Sequence, residues 1–276
     1  MPPKLGVLAG GGQLPVQVIA ACREAGRPVF VIAFAGFTET AVVADVPHAW
    51  MKLEKVGGIL SRLQAEGVKE VVLAGPVRRP GSLLSLRPDI RGLCLLFRML
   101  RRWGGDDHVL SQVVQEIERD GFRVVGAEEV APELLMPECP LGQFEPDAGH
   151  QVAIAVGVVA ARDLGRRDRG QAVLVAGNEV VAREGPGGTT AMLTTAAAAG
   201  NARGGVLVKI AKPGQERRVD LPSVGVETVA QSAAAGLAGI ALEAGGSLAI
   251  GRADIARAAD AAGLFVVGID PAKVAS

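Results

Sequence analysis

What most narrows the fold of this chain is an alternation, running through its first half, of short apolar runs with segments of helical period. Leu5–Ala9 is such a run and ends at Gly10-Gly11-Gly12. Leu14, Val18, Ile19 and Cys22 follow at helical spacing, and Gly26 supplies a stop. Val29–Phe34 is the next run. Val56, Ile59, Leu60 and Leu63 mark a second amphipathic helix, closed by Gly67, and Glu70–Gly75 reads as a third strand. Strand–helix–strand alternation implies parallel pairing with right-handed crossovers, so a Rossmann-like, mainly parallel sheet is expected.

Residues 88–121 read as helical, broken at Gly104-Gly105, with Asp106 at a helix N-cap and an apolar stripe of Val109, Leu110, Val113, Val114 and Ile117. Arg123–Ala127 is expected to be the last strand of the first domain. Pro132, Pro137, Pro140, Gly142 and Pro146 then form the densest proline stretch, which reads as a linker. The expected division is therefore 1–131, a linker over 132–146, and a second domain over 147–276. That second half begins with a helix to about Leu164. Ala172–Ala176 and Val180–Ala182 then flank a Gly177-Asn178 hairpin turn. Strands Val206–Ile210, Gly239–Leu242, Leu248–Ile250 and Leu264–Ile269 alternate with helices near 190–199, 227–235 and 253–262. The fold class is α/β: two α/β domains, the second with a mixed sheet.

Composition restricts partners. Lys plus Arg and Asp plus Glu each number 29, so no net charge draws the chain to nucleic acid. Cys22, Cys94 and Cys139 are scattered and form no CxxC pair, which suits reduced thiols rather than a disulfide or metal framework. Mean hydropathy is high at +0.31, yet no apolar run reaches the ~18–20 residues of a membrane span. The small-residue tract Ala196–Gly200 suits close helix packing. Met1-Pro2-Pro3-Lys4 leads straight into the first strand without a signal-peptide pattern, so a cytoplasmic address is expected. The hydropathy also admits a homodimer, with no stripe marking its interface.

Five segments can carry chemistry. The turn Gly10-Gly11-Gly12, with Gln13, Leu14 and Pro15 opening the next helix, lets backbone N–H groups approach a phosphate. It satisfies neither GxGxxG nor GxxxxGK[ST], and no acid ends the second strand, so nicotinamide binding is not expected. A tight packing turn reads equally well. Arg78 and Arg79 follow a strand at the end where α/β sheets bind ligands, and guanidinium forks match phosphate oxygens; a solvated loop with salt bridges is the alternative. Asp106-Asp107-His108 offers two carboxylates for magnesium, or simply a capped helix. Gly187-Gly188-Thr189-Thr190 opens another anion-friendly helix. Lys209 to Pro222 is the most informative stretch, with Lys209, Lys212, Arg217 and Arg218 beside Glu216 and Asp220. Such cations can offset pyrophosphate charge, and a carboxylate can bind metal or activate water. The competing account is an ion pair that clamps a loop. His48 and His150 sit in loop-like contexts without ligand spacing, and HExxH and GxSxG are absent.

From Leu5 to Pro271 the chain resembles the LpxI-type UDP-2,3-diacylglucosamine pyrophosphatases. The likeness rests on Leu5 through Pro15, Ala74-Gly75, Arg79-Pro80, Gly105-Asp106-Asp107, Gly236 through Gly239 and Gly263 through Gly268. Above all it rests on the unusual run from Lys209 to Pro222, Lys-x-x-Lys-Pro-x-Gln-Glu-x-Arg-x-Asp-Leu-Pro. The resemblance implies two α/β domains that enclose a lipid-linked nucleotide-sugar substrate. It also implies a magnesium-dependent hydrolysis giving UMP and 2,3-diacylglucosamine 1-phosphate (lipid X), a step toward lipid A. Asp220 occupies the family's essential position, with Lys209, Lys212 and Arg218 around it. Gly10 to Pro15, Arg78, Arg79, Thr189, Thr190 and Gln215 are the expected substrate contacts; Asp106, Asp107 and Asp220 are the expected metal ligands. The substrate also implies transient contact with the cytoplasmic face of the inner membrane. Two departures stand out: Thr190 replaces an Asp of the family's Gly-Thr-Asp-Ala-Met, and Pro76 replaces a common Asn or Lys. The first supports a rival reading, a non-catalytic nucleotide-sugar or lipid-phosphate binder of the same fold. A transferase using the same glycine turn, or a docking protein with a basic loop, are further rivals.

Overall fold

The computed structural model describes residues 2–77, 87–101 and 106–274, except for the side chains of 96–101 and 106–109. Two compact units emerge. The first comprises Met1–Pro132 and Glu216–Asp220; the second comprises Glu133–Gln215 and Leu221–Ser276. The chain therefore passes between units three times, at 132/133, 215/216 and 220/221.

In the first unit the order is β1 (Leu5–Ala9), α1 (Leu14–Glu24), β2 (Val29–Phe34), α2 (Thr40–Val43), β3 (His48–Met51), α3 (Val56–Ala65) and β4 (Glu70–Ala74). Then follow α4 (Ile90–Arg101), α5 (Asp106–Arg119), β5 (Arg123–Val124) and α6 (Ala127–Val130). All five strands are parallel, in the order β3-β2-β1-β4-β5. Leu5–Ala9 pairs residue for residue with Val29–Ala33 on one side and Glu70–Ala74 on the other. The central strands are apolar without alternation because both faces are covered. Leu8, Phe30, Ile32 and Phe34 pack with Leu60, Leu63 and Ile117 of α3 and α5. Val7, Val31, Ala33 and Val72, one residue out of phase, are also fully buried.

Three local features depart from the sequence reading. His48 lies in β3, an edge strand that the reading placed in a loop. The expected strand Arg123–Ala127 stops at Val124, because Gly126 starts a capped helix: its N–H donates to Glu129 Oε1 at 3.0 Å. The proline-rich stretch after Pro132 packs along the second unit instead of tethering two bodies. Leu134 and Met136 are buried, and Leu141 N–H donates to the Val266 carbonyl at 2.7 Å. The prolines there punctuate a segment whose intervening apolar side chains belong to a core.

The second unit contains α7 (Ala148–Arg166), β6 (Ala172–Ala176), β7 (Glu179–Arg183), α8 (Gly188–Ala199) and β8 (Val206–Lys209). It continues with β9 (Ser223–Val224), α9 (Val226–Ala234), β10 (Gly239–Glu243), β11 (Leu248–Ala249), α10 (Arg252–Ala262), β12 (Phe265–Ile269) and α11 (Pro271–Val274). Its sheet, β12-β10-β8-β6-β7, is parallel across the first three strands and antiparallel at β6 and β7. Helix α7 covers one face, where Ile154 and Val158 meet Val173, Val175 and Val208. On the other face Leu174, Leu207 and Ile240 meet Leu193, Val229 and Ile255 of α8, α9 and α10. The mixed sheet expected from the Gly177-Asn178 hairpin is present.

At the end of β1 the glycine turn meets the loop after β4, backbone against backbone. A Cβ on Gly10 would lie 2.5 Å from the Gly75 carbonyl oxygen, and one on Gly75 would lie 2.2 Å from that of Gly11. Gly75 also has φ +87°. Gly36 has φ +88° but open space around it, so the pair separates backbone strain from crowding. Gly36→Ala is expected to cost about 1–2 kcal/mol, and Gly75→Ala about 1–3 kcal/mol more. Thermal unfolding followed by far-UV circular dichroism checks the ranking; equal costs would mean the two loops separate freely.

Candidate functional site

Because the first sheet is parallel, its strands end along one edge, and its order places the topological switch point between β1 and β4. Gly10–Gly12 and Gly75-Pro76 meet there. Gly10 N–H donates to the Ala74 carbonyl at 2.8 Å, and Gly11 N–H to that of Pro76 at 3.0 Å. Thr38, buried in the loop after β2, donates to the Ala9 carbonyl at 2.5 Å and accepts from Phe34 N–H at 2.9 Å. The amides of Gly10 and Gly11 thus hold loops together. Gly12, with φ +73°, and Gln13, at the α1 N-cap without a side-chain cap, continue the turn. Leu14 and Pro15 form the first turn of α1.

A segment from the far half of the sequence docks on the same unit. Glu216–Asp220 forms a tight turn in which the N–H groups of Val219 and Asp220 both donate to the Glu216 carbonyl, each at 3.1 Å. Val219 packs on the apolar cluster of the first unit, and Arg218 Nη1 reaches the Val124 carbonyl of β5 at 3.5 Å. Arg218 anchors it. Its Nε and Nη2 donate to the two Glu216 oxygens at 2.9 and 2.8 Å, and Nη1 donates to Glu118 Oε1 on α5 at 2.6 Å. The guanidinium bond holds the Glu216 carboxyl below its usual range, and Glu216 and Glu118 together raise the Arg218 pKa further. Asp220, at the end of this turn, is half-buried. Among the described residues its carboxylate has no hydrogen bond or ion pair.

The basic loop of the second unit leaves β8 at Lys209. That lysine is buried, and its Nζ donates to the Ser223 carbonyl at 3.1 Å. Lys212 Nζ pairs with Asp168 at 3.0 Å, and its N–H donates to Gln215 Oε1 at 3.0 Å. Gln215 is itself 7% exposed, and its Nε2 lacks a partner among the described residues. Glu243, ending β10, accepts from Ala211 N–H at 2.8 Å and fixes the loop to the sheet. Thr189 donates to Glu184 Oε1 at 2.6 Å at the start of α8, whereas Thr190 is exposed. A groove of about 260 Å³ between β7 and α8 is lined by Val181, Ala182, Ala191 and Met192 among others, and by none of residues 209–222.

Arg78 and Arg79 lie outside the described residues. Asp106 and Asp107 begin α5, but their side chains lie outside the description. Helix α5 leads into β5 and so starts at the carboxyl edge of the sheet, the edge that holds Gly10–Gly12. Among the described residues no three His, Cys, Asp or Glu side chains gather as a ready-made metal cage.

Sequence reasoning missed Glu118. Its partner Arg218 is 100 positions away, and nothing local marks an acid late in α5 as an anchor. Since Glu216 titrates lower when folded than unfolded, its pairing stabilises the fold above the ordinary carboxylate pKa of about 4.3. That contribution disappears as pH falls through the depressed folded value. Arg218→Met is therefore expected to lower the melting temperature at pH 7, with the gap to wild type closing below about pH 4. A pH-independent gap in parallel melting curves would show that the guanidinium stabilises only by packing.

Comparison with known proteins agrees with this architecture. Residues 4–134 match the LpxI N-terminal domain and residues 137–267 the LpxI C-terminal domain. UDP-2,3-diacylglucosamine pyrophosphatase LpxI of Caulobacter vibrioides is 41% identical over 276 residues, covering 97% of this chain and 98% of that protein. Among solved structures, the biotin carboxylase subunit of pyruvate carboxylase is similar at 16% identity and TM-score 0.27, over 63% of this chain and 35% of that one. The biotin carboxylase domain dimer of Hydrogenobacter thermophilus 2-oxoglutarate carboxylase is similar at 14% identity and TM-score 0.27, over 64% and 35%. Scores of that size carry no argument about the site. The two matched domains and the near full-length relative place the chain plainly: it belongs to the LpxI family.

Proposed function

We propose that this protein hydrolyses the pyrophosphate of UDP-2,3-diacylglucosamine, releasing UMP and 2,3-diacylglucosamine 1-phosphate, on the cytoplasmic face of the inner membrane. The relative that shares 41% identity carries that activity in its name. The observation that supports it in this chain is Asp220, a half-buried carboxylate with no protein counter-charge among the described residues, carried by a turn that Arg218 anchors to the first unit. A carboxylate without a protein partner is open to a water or a cation brought by the substrate.

Hydrolysis joins a water oxygen to one phosphorus and breaks its bond to the bridging oxygen, which leaves with the other phosphate; the water proton must be accepted nearby. Asp220 is suited to orient that water and take its proton. Arg218 already makes paired bonds to Glu216 and Glu118, so its part is to position the turn that carries Asp220. Lys209 and Lys212 are the cations assigned to diphosphate charge. Magnesium fits a donor set of one carboxylate completed by substrate phosphates and water, which is how this ion is commonly held. Asp220 would be its protein ligand, with Asp106 and Asp107 the further candidates, and the ion would supply charge neutralisation at the phosphates.

The rival reading, a binder without turnover, draws on Thr190, which stands exposed on α8 in place of a carboxylate. Release of UMP separates the two. Wild-type protein is expected to release UMP from UDP-2,3-diacylglucosamine, to stop in EDTA and to resume with added magnesium. Asp220→Asn is expected to lower kcat by roughly 10²–10⁴-fold with the melting temperature retained. Tight product binding without turnover by wild type would establish the binder instead. Unimpaired turnover by Asp220→Asn would remove Asp220 from the chemistry.

A further inference from the structure

Helix α4 is unlike the other helices of the first unit. From Arg87 to Arg101 the chain carries four arginines and one acid, in a protein whose charges cancel overall. That acid, Asp89, accepts from the N–H groups of Gly58 at 3.0 Å and Gly92 at 2.8 Å, so its charge is engaged in joining α4 to the start of α3. Gly92 and Leu95 form the inner side of the helix; a Cβ on Gly92 would sit 2.3 Å from the Glu54 carbonyl oxygen. The first turn of the outer side is apolar where a solvated helix would be charged. Ile90 is 83% exposed and Leu93 is 43% exposed. At 3.6 residues per turn, positions 90, 93, 97 and 100 fall within an arc of about 80°, and these are Ile, Leu, Phe and Leu. Positions 91, 98 and 101, all arginine, occupy the adjoining arc. Arg91 is paired with Asp120 and still half-exposed.

Exposed aliphatic side chains such as Ile90 and Leu93, on an arginine-rich helix, are the pattern of a helix that lies in a lipid headgroup layer, its aliphatic side chains in the acyl boundary and its cations at anionic phosphates. Among the described residues no helix is long and apolar enough to cross a membrane, so α4 would rest on the surface. We infer that the outer face of α4, centred on Ile90 and Leu93, docks the protein on an anionic lipid bilayer. The inference deepens the proposed hydrolysis and rests on it for its purpose, since a substrate with two acyl chains resides in such a bilayer. It names the surface that makes the contact, which neither the site nor mean hydropathy identifies. A second copy of the chain and a protein partner are the other occupants that such a face admits. The excess of arginine over acid selects the anionic surface, because a two-fold copy would bring the same arginines together.

Sedimentation with vesicles decides it, using the full chain. Wild type is expected to sediment with vesicles of equal parts phosphatidylcholine and phosphatidylglycerol. Binding should be far weaker to phosphatidylcholine alone and in concentrated NaCl. Ile90→Asp combined with Leu93→Asp is expected to reduce binding about tenfold or more, since each removes a lipid-buried aliphatic group. Ile90→Trp is expected to increase it, which keeps the proposal falsifiable if the double variant does not fold. Absence of wild-type binding to anionic vesicles, or equal binding by all three proteins, would overturn the proposal. So would a change in oligomeric state on substitution with vesicle binding untouched. Turnover of a short-chain substrate dispersed in detergent, measured alongside, should be the same in wild type and Ile90→Trp. If wild type fails to turn it over while vesicle binding follows the stated pattern, the hydrolase reading falls and the docking face stands.

Discussion

The guanidinium of Arg218 sits between two carboxylates, Glu216 two residues away and Glu118 on α5, and that bridge fixes the path of the chain. Without a specific anchor, a five-residue excursion from one unit to the other would gain little apolar burial against its conformational cost. Charge-assisted bonds in a bidentate fork, with a third from α5, supply the direction that apolar contact cannot. Each partner is partly exposed, 32% for Arg218 and 38% for Glu118, so solvent screening tempers the strength of each pair. Its consequence is geometric. A turn encoded after β8 becomes part of the first unit, and Asp220 is held there with elements encoded far earlier in the chain.

The glycine turn at the end of β1 is a tight packing turn, one of the two readings its sequence admits. Gly10, Gly11 and Gly75 allow two loops to approach at distances no Cβ permits, and the amides of Gly10 and Gly11 bond across that approach. Closing the switch point in this way makes the turn a rigid floor, with Gly12, Gln13 and the first turn of α1 beyond it. Positively charged groups are likewise committed: Lys209 to Ser223, Lys212 to Asp168 and Arg218 to Glu118.

Much of the fold was legible because local pattern and tertiary need coincide. Leu5–Ala9, Val29–Phe34 and Glu70–Ala74 read as buried parallel strands, and Leu14–Glu24 and Val56–Ala65 as the helices covering them. The failures share a cause in partners remote in sequence. His48–Met51 becomes a strand by pairing with Val31–Phe34, although its own composition gives no strand signal. Leu134, Met136 and Leu141 are core residues hidden among prolines. In the site, the Lys209–Asp220 run announces its chemistry through its density of charge. Glu118 was invisible, and the allocation of residues 216–220 to the first unit follows from no local rule.

Where ligand contact occurs is the most direct test of this account. Hydrogen exchange of the full chain, with and without UMP plus 2,3-diacylglucosamine 1-phosphate, reads it residue by residue. Added protection is predicted at Glu216–Asp220 and at Gly12–Leu14, with none along the groove between β7 and α8. Protection confined to that groove, with 216–220 exchanging as in the free protein, would contradict the assignment of Asp220 to the site.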